Sequence, residues 1–403
     1  MKKDKITKYL FFLILLIFPL GQLLRLDLTS FSAGLKVQAI DILVFCYVLF
    51  WLGRNLFEKA KVRLPPFFKQ LLAFILIAFL SLLWQIRSLT PWEFLTALFY
   101  WLRLFNFVLF FWATVDLLKK EELPIFDYLL ADGIVIAFFA LLQYLVLPDT
   151  RFLFNFGWDK HYFRAIGTFL DPGFTGLLLV LTFIIWLVYW SEKSVKKNFF
   201  FFTAGFILIL AIGLTFSRIS YLSLFFILGL MLLMGKKWRF FLYLGVMFLL
   251  LVFLLPKPGG EGVNLWRTSS LLARLDSYKQ TFIIIKDHPL LGVGYDAFRY
   301  AQRNYGFLSE ENWQSTNAGA GTDNSFLLVF ATTGIFGLMF FLNFWVKAIF
   351  LSFTYWRKSQ SALVFFLSWV VLSLSAFSMN SLFYAWVLCW LMIVMAKFTV
   401  DNL

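Results

Sequence analysis

Arg218 is the residue whose type and position say most about chemistry. It stands in Thr215-Phe216-Ser217-Arg218, between two apolar runs with no room for a loop. An ionisable side chain at a membrane span is costly and as a rule faces a cavity or a partner. The alternative is an arginine that snorkels to lipid headgroups. Thr215, Ser217 and Ser220 around it are polar, which favours the cavity. A guanidinium fork there suits a phosphate or diphosphate. Arg164, opening Arg164-Ala-Ile-Gly167-Thr168-Phe169-Leu-Asp171-Pro172, and Arg274 are candidates for the same anion, although each taken singly is an ordinary loop charge. Asp323, just ahead of a long apolar run, reads two ways: as a helix N-cap, or as a general base at the mouth of a cavity. Arg164, Ser217, Asn324 and His288 are the candidate substrate contacts, with Asn324 and Ser325 readable also as caps. A lone histidine, whether His161 or His288, is more often packed or solvated than catalytic.

The motifs that are missing narrow the chemistry further. The sequence has no D-x-D carboxylate pair in these stretches, no metal-ligand spacing and no Walker motif. Gly292-Val-Gly294 has no strand before it and reads as a turn. Cys46 and Cys389 lie far apart inside apolar segments, with no CxxC. Any reaction is therefore expected to be metal-independent, to need no cofactor and not to be driven by ATP. Arg103, in mid-span beside Asn106, contacts a lipid phosphate or pairs with Asp41 or Asp132; structural pairing is the favoured reading.

The elements that hold these residues must be membrane helices. Hydrophobic residues make up 61% of the 403 positions and charged residues 14%. A soluble domain carries about 25% charged residues, so a water-facing surface cannot be built from this chain. The 55 Phe and 16 Trp suit lipid-facing helices with aromatic belts. A crossing helix needs about 20 mostly apolar residues. That ruler gives about twelve spans, near 8–24, 37–53, 68–84, 92–117, 126–147, 172–190, 198–214, 217–234, 239–256, 324–350, 361–378 and 381–400. The stretch Lys2–Leu24 has no small-residue cleavage site and reads as a signal-anchor helix. Residues 1–403 thus form a single polytopic, all-α integral membrane domain.

The net charge of +14 would suggest nucleic acid in a soluble protein; here topology accounts for many of the basic residues, and no nucleic-acid partner is expected. With Lys2, Lys3, Lys5 and Lys8 in the cytoplasm, Arg54–Lys69, Lys119-Lys120, Lys193–Lys197, Lys236–Arg239, Arg357-Lys358 and Lys397 fall on the same side. The short outer connections hold only Arg25, Lys36, Arg87 and Arg218. Both termini are then cytoplasmic, and two longer loops, 148–171 and 257–323, are extracytoplasmic. The second is too long for a mere connector. In it Leu271, Leu275, Tyr278, Phe282 and Ile285 recur at steps of four and three, and Arg267, Arg274 and Thr281 fall seven apart on another face. An amphipathic helix on the outer membrane surface is expected, its polar face turned to a cavity, ended by Pro289 and Gly292.

On four pieces the chain resembles the O-antigen ligase and polymerase family of bacterial membrane glycosyltransferases. They are R-x-x-G-T-F-x-x-P at Arg164–Pro172, T-x-S-R at Thr215–Arg218, Arg274 ahead of P-L-L-G-V-G at Pro289–Gly294, and D-N-S-x-L at Asp323–Leu327 before G-I-x-G-L. The resemblance implies transfer of a glycan from an undecaprenyl-diphosphate carrier to an acceptor hydroxyl, by inversion, on the outer face of the bacterial cytoplasmic membrane. The partners would be the lipid-linked glycan donor, a glycan, lipid or protein acceptor, and the bilayer; surface polysaccharide such as lipopolysaccharide would be the destination. The family's essential arginines fall on Arg218 and Arg274. Many members have His-Asn where this chain has Asp323-Asn324, so either Asp323 is the base, or the base lies elsewhere, or the activity is altered. The rivals are a flippase or transporter for a lipid-linked sugar, for which neither related halves nor broken helices are visible, and an enzyme of the peptidoglycan polymerase type.

Overall fold

The computed structural model describes residues 2–57, 64–192, 198–235, 237–309, 313–314, 319 and 321–403, with side chains from residue 5 on. Lys59, Lys61, Arg63, Lys193, Lys196, Lys197 and Lys236 of the charge argument lie outside the described residues, as do the side chains of Lys2 and Lys3.

A helix occupies each of the twelve expected stretches. In chain order these are α1 (Lys2–Ile17), α2 (Ala39–Phe57), α3 (Phe68–Trp84), α4 (Pro91–Lys120), α5 (Ile125–Val146), α6 (Pro172–Ser191), α7 (Phe199–Leu214), α8 (Arg218–Met234) and α9 (Trp238–Leu254). After the large loop, which carries α10 (Ser269–Asp287) and α11 (Phe298–Asn304), come α12 (Ser325–Tyr355), α13 (Gln360–Ala376) and α14 (Ala385–Asn402). Seven of the helical segments are long and apolar enough to cross a bilayer by length and composition: Lys5–Leu24, α2, α4, α5, α6, α12 and α14. The remaining five apolar helices have 16 or 17 residues, about 25 Å of rise at 1.5 Å per residue. Local chemistry sets several starts. Thr90 and Glu93 form a capping box before Pro91, and Asp171, Asn198, Asn324 and Ser359 cap α6, α7, α12 and α13 through side-chain oxygens.

Helices α6, α13 and α14 are buried along most of their length, and Trp369, Trp386 and Trp390 are among the largest fully buried side chains. The outer helices turn Leu16, Leu145, Phe199, Phe253 and Leu254 outward at 70–80% exposure. A water-facing surface does not carry such a density of large apolar side chains, whereas a lipid-facing one does. Two ion pairs lie inside: Arg54 with Asp116, and Arg103 with Asp41 at 2.9 Å. The second pair settles the reading of Arg103, with Asp41 and not Asp132 as its partner.

Two features shape the end of the bundle where the candidate residues gather. A short hairpin, β1 (Arg25–Asp27) and β2 (Lys36–Gln38), joins α1 to α2 with Arg25 opposite Gln38 and Asp27 opposite Lys36. Helix α12 is broken at Gly334, which adopts φ 65°, ψ −168°. The turn after α10 fits the break. Val293 and Gly294 N–H donate to the Ala331 and Thr332 carbonyls (2.9 and 3.0 Å), and Ile335 N–H donates to the Pro289 carbonyl (2.9 Å). Ser81 of α3 donates to the Thr332 carbonyl as well, at 2.7 Å. A Cβ on Gly334 would run into the Leu290 carbonyl, so only glycine fits there. From sequence no break is expected, because long apolar runs stand on both sides of Thr332-Thr333-Gly334. The expectation of no broken helix is thus corrected: α12 is broken at Gly334, and its freed backbone groups are taken up by the docked loop.

Candidate functional site

A cavity of about 510 Å³ opens among the chain segments that the charge alternation places on one side. The turn and hairpin after α1 supply Gln22, Arg25, Lys36 and Gln38; α4 supplies Tyr100 and Arg103; the 148–171 loop supplies Asp159, His161, Arg164 and Asp171. The start of α8 adds Ser217 and Arg218, the approach to α10 and its first turns add Arg267, Ser270 and Arg274, and Thr322 and Asp323 precede α12. The α13–α14 connection closes it with Asn380 and Tyr384. Five connections expected on the outer side therefore share one chamber.

The α7–α8 turn is tight enough to force Phe216 to φ 48°, an uncommon conformation for a non-glycine residue. Arg164 holds it. Its Nε donates to the Thr215 carbonyl (2.9 Å) and its Nη2 to that of Phe216 (3.2 Å). Burial, with Arg267 nearby, pulls this guanidinium down to about 10. Arg164 thus lines the chamber while acting first as a brace. Arg218, one turn position on, reaches the start of α10. Its Nη1 donates to the Arg267 carbonyl (2.8 Å) and its Nη2 to Ser270 Oγ. Arg274 projects from the same face of α10. Of the expected polar face, Arg267 and Arg274 line the cavity while Thr281 is fully buried; of the apolar stripe, Leu271, Leu275 and Phe282 are 44–54% exposed and Ile285 is buried in the protein.

The two readings of Asp323 separate cleanly. Asn324, not Asp323, caps α12: its Oδ1 accepts from Phe326 and Leu327 N–H at 2.9 and 3.0 Å. The Asp323 carboxylate is left facing the chamber. Burial raises its pKa, and the Arg274 charge opposes that shift. Tyr278 of α10 donates to the Asp323 carbonyl (3.3 Å), which ties this residue to the arginine-bearing helix.

Of the seven residues named from sequence, Asp323, Arg218, Arg274, Arg164 and Ser217 come together in the cavity wall. Asn324 and His288 do not. Asn324 is buried beneath as a cap, and His288 closes the C-terminus of α10 at the docked turn. Arg267 reaches the wall without having been singled out as a site residue, although its place seven before Arg274 was the available signal. Asp159, His161 and Asp171 were missed as a group. The fold brings one ligand atom of each within 4.8 Å of the others, which qualifies the expectation that no metal-ligand set exists. Asp171 lies ten residues beyond His161 on a different element, and no spacing rule reaches it. Burial lowers the His161 imidazole to about 4, so it is neutral at physiological pH.

Among the described residues, seven basic side chains line the chamber (Arg25, Lys36, Arg103, Arg164, Arg218, Arg267 and Arg274) against three acidic ones (Asp159, Asp171 and Asp323). Even with Arg103 neutralised by Asp41, the wall is strongly electropositive. Such a wall recognises an anion of more than one charge. No curated protein matches the chain. One family does: its sequence model, described as O-antigen ligase, matches residues 203–342, from α7 into α12. That stretch holds Arg218, Arg267, Arg274, Asp323 and the Gly334 break, and leaves Arg164 and the Asp159–His161–Asp171 cluster outside. The apolar helices and this match make the chain a membrane protein, and over residues 203–342 it is similar to the O-antigen ligase family.

Proposed function

We propose that the protein is a membrane glycosyltransferase of surface polysaccharide assembly. It moves a glycan from an undecaprenyl-diphosphate carrier to an acceptor hydroxyl in the cavity described above. The observation that carries the reading is the pairing of Arg218 and Arg274 with a carboxylate, Asp323, that no cap or ion pair occupies among the described residues. In the reaction the acceptor hydroxyl gives its proton to Asp323 as its oxygen attacks the anomeric carbon. The bond from that carbon to the diphosphate oxygen breaks with inversion. The negative charge that develops on the departing lipid diphosphate is met by the fixed guanidinium groups of Arg218 and Arg274. Arg164 holds the turn that aims Arg218, and Ser217 offers a neighbouring hydroxyl.

The same reading has all twelve apolar helices crossing the bacterial cytoplasmic membrane, with both termini in the cytoplasm and α10 on the outer surface. The exposed Leu271, Leu275 and Phe282 of α10 would then rest on lipid. Agreement between the charge alternation and the convergence of five outer connections on one chamber supports this threading.

The test uses the detergent-purified full chain, a lipid-diphosphate-linked oligosaccharide and a panel of glycan and lipid acceptors. Acceptor-dependent release of undecaprenyl diphosphate, lost in Arg218→Ala, is the expected result. Movement of the intact lipid across liposomes with no release would overturn the reading in favour of a flippase.

A further inference from the structure

We propose that Asp159, His161 and Asp171 form a divalent-cation site in the wall of the cavity, of the class that takes Mn²⁺ or Zn²⁺. The three side chains each bring one ligand atom, and these atoms all lie within 4.8 Å of one another. An imidazole with two carboxylates is a donor set for a transition-series or zinc ion more than for Ca²⁺ or Mg²⁺, which take oxygen ligands almost alone.

A second observation points to a ligand. His161 is 8% exposed, and its Nε2 is buried with no hydrogen-bond partner. A buried polar atom left unpaired is unfavourable, and such atoms in native proteins commonly mark an ion or a water. Nor is the loop loosely placed. The Thr150 N–H and Oγ1 both donate to the His161 carbonyl at 3.1 Å, beside a bridge between Asp149 and Tyr162. Asp171 is fixed by capping α6. Its Oδ1 accepts from Gly173 and Phe174 N–H at 2.7 and 2.8 Å, and its second oxygen remains for a cation.

Neither carboxylate makes an ion pair among the described residues. Lys160, between two of the cluster residues, stands over the Phe154 ring, and Arg164 directs Nε and Nη2 to backbone carbonyls. The start of α6 compensates Asp171 through its N-terminal dipole, and the Arg164 charge acts on both carboxylates without pairing with either. Two carboxylates and an imidazole held this close, with no ion pair to either carboxylate among the described residues, have the arrangement of a metal site with open positions towards the cavity. A cation there would face the same anion as the arginines. This last role rests on the transferase reading; the binding itself does not.

The experiment is titration of EDTA-stripped, detergent-purified full chain with Mn²⁺, followed by electron paramagnetic resonance, and with Zn²⁺ by calorimetry. One ion per chain is expected, with affinity at least tenfold weaker in His161→Ala and in Asp159→Asn. The thermal midpoint of the wild type should rise on adding the ion, and those of the variants should not. Asp159→Asn, at the exposed end of the cluster, keeps the test valid if His161→Ala does not fold. Absence of binding, or equal binding in wild type and both variants, would overturn the site. Cation binding without glycan transfer removes the transferase reading and leaves the site standing; transfer by protein that binds no cation does the reverse.

Discussion

Replacing Asp323 by Asn and, separately, Asn324 by Ala divides two roles that fall on adjacent residues. The Asn324 side chain satisfies two of the four backbone donors at the start of α12. Its removal should cost about 1 kcal/mol, up to about 2 because the position is buried. The Asp323 side chain makes no cap, and its loss should leave stability unchanged. Activity should move the other way. A positioned general base contributes about 10²–10⁴-fold, so Asp323→Asn should lower the transfer rate by at least about 100-fold with donor affinity largely kept. Asn324→Ala should retain most of the activity per folded molecule. The assay pairs release of undecaprenyl diphosphate with thermal unfolding of the same preparations. A variant pair in which Asn324→Ala loses transfer and Asp323→Asn keeps it would refute the assignment of the base. So would Asp323→Asn unfolding like a lost cap.

The pH profile offers a check on the same residue. Burial raises the Asp323 carboxyl, against Arg274 and with Asp159 as a neighbouring acid, and the base form is the deprotonated one. Transfer should therefore fall as pH drops through a value above the ordinary carboxylate range, and Asp323→Asn should abolish that limb. Arg218→Lys keeps the charge but not the two-pronged contact to the Arg267 carbonyl and Ser270; a loss of about 1.5–3 kcal/mol, some 10–100-fold in kcat/KM, is expected in steady-state kinetics. Gly334→Ala forces a side chain to φ 65° against the Leu290 carbonyl and should destabilise by more than about 2 kcal/mol, read as a lowered thermal midpoint. Arg103→Met should cost about 3–5 kcal/mol by stranding Asp41, and the double variant with Asp41→Leu should recover most of it.

Much of the bundle was legible because lipid imposes a simple rule: apolar runs of one length, separated by charge. The twelve stretches therefore coincide with helices to within a few residues. The break at Gly334 was not legible, since what opens α12 is a loop forty residues earlier in sequence whose shape depends on Gly292 and Gly294. In the site, Arg218 and Asp323 announced themselves as charges beside apolar runs, and Arg274 by its place seven after Arg267 on one helix face. Asn324 was open to two readings, a polar contact or a cap, and only hydrogen-bond geometry picks out the cap. His288 misled because a histidine in a polar turn resembles a ligand contact until the turn is seen docked on α12. The cluster of Asp159, His161 and Asp171 depends on where a loop closes against a helix start, which no periodicity encodes.

The two ends of α10 are fastened by different forces. At its C-terminus the chain is laced by backbone hydrogen bonds into the notch of α12, a joint indifferent to salt or to any anion. At its N-terminus the fastener is Arg218, whose guanidinium grips the Arg267 carbonyl and Ser270. Any phosphate that recruits Arg218 draws on the same five donors. Mechanically, α10 is a beam clamped at one end and latched at the other, and the latch is the group that reads the ligand.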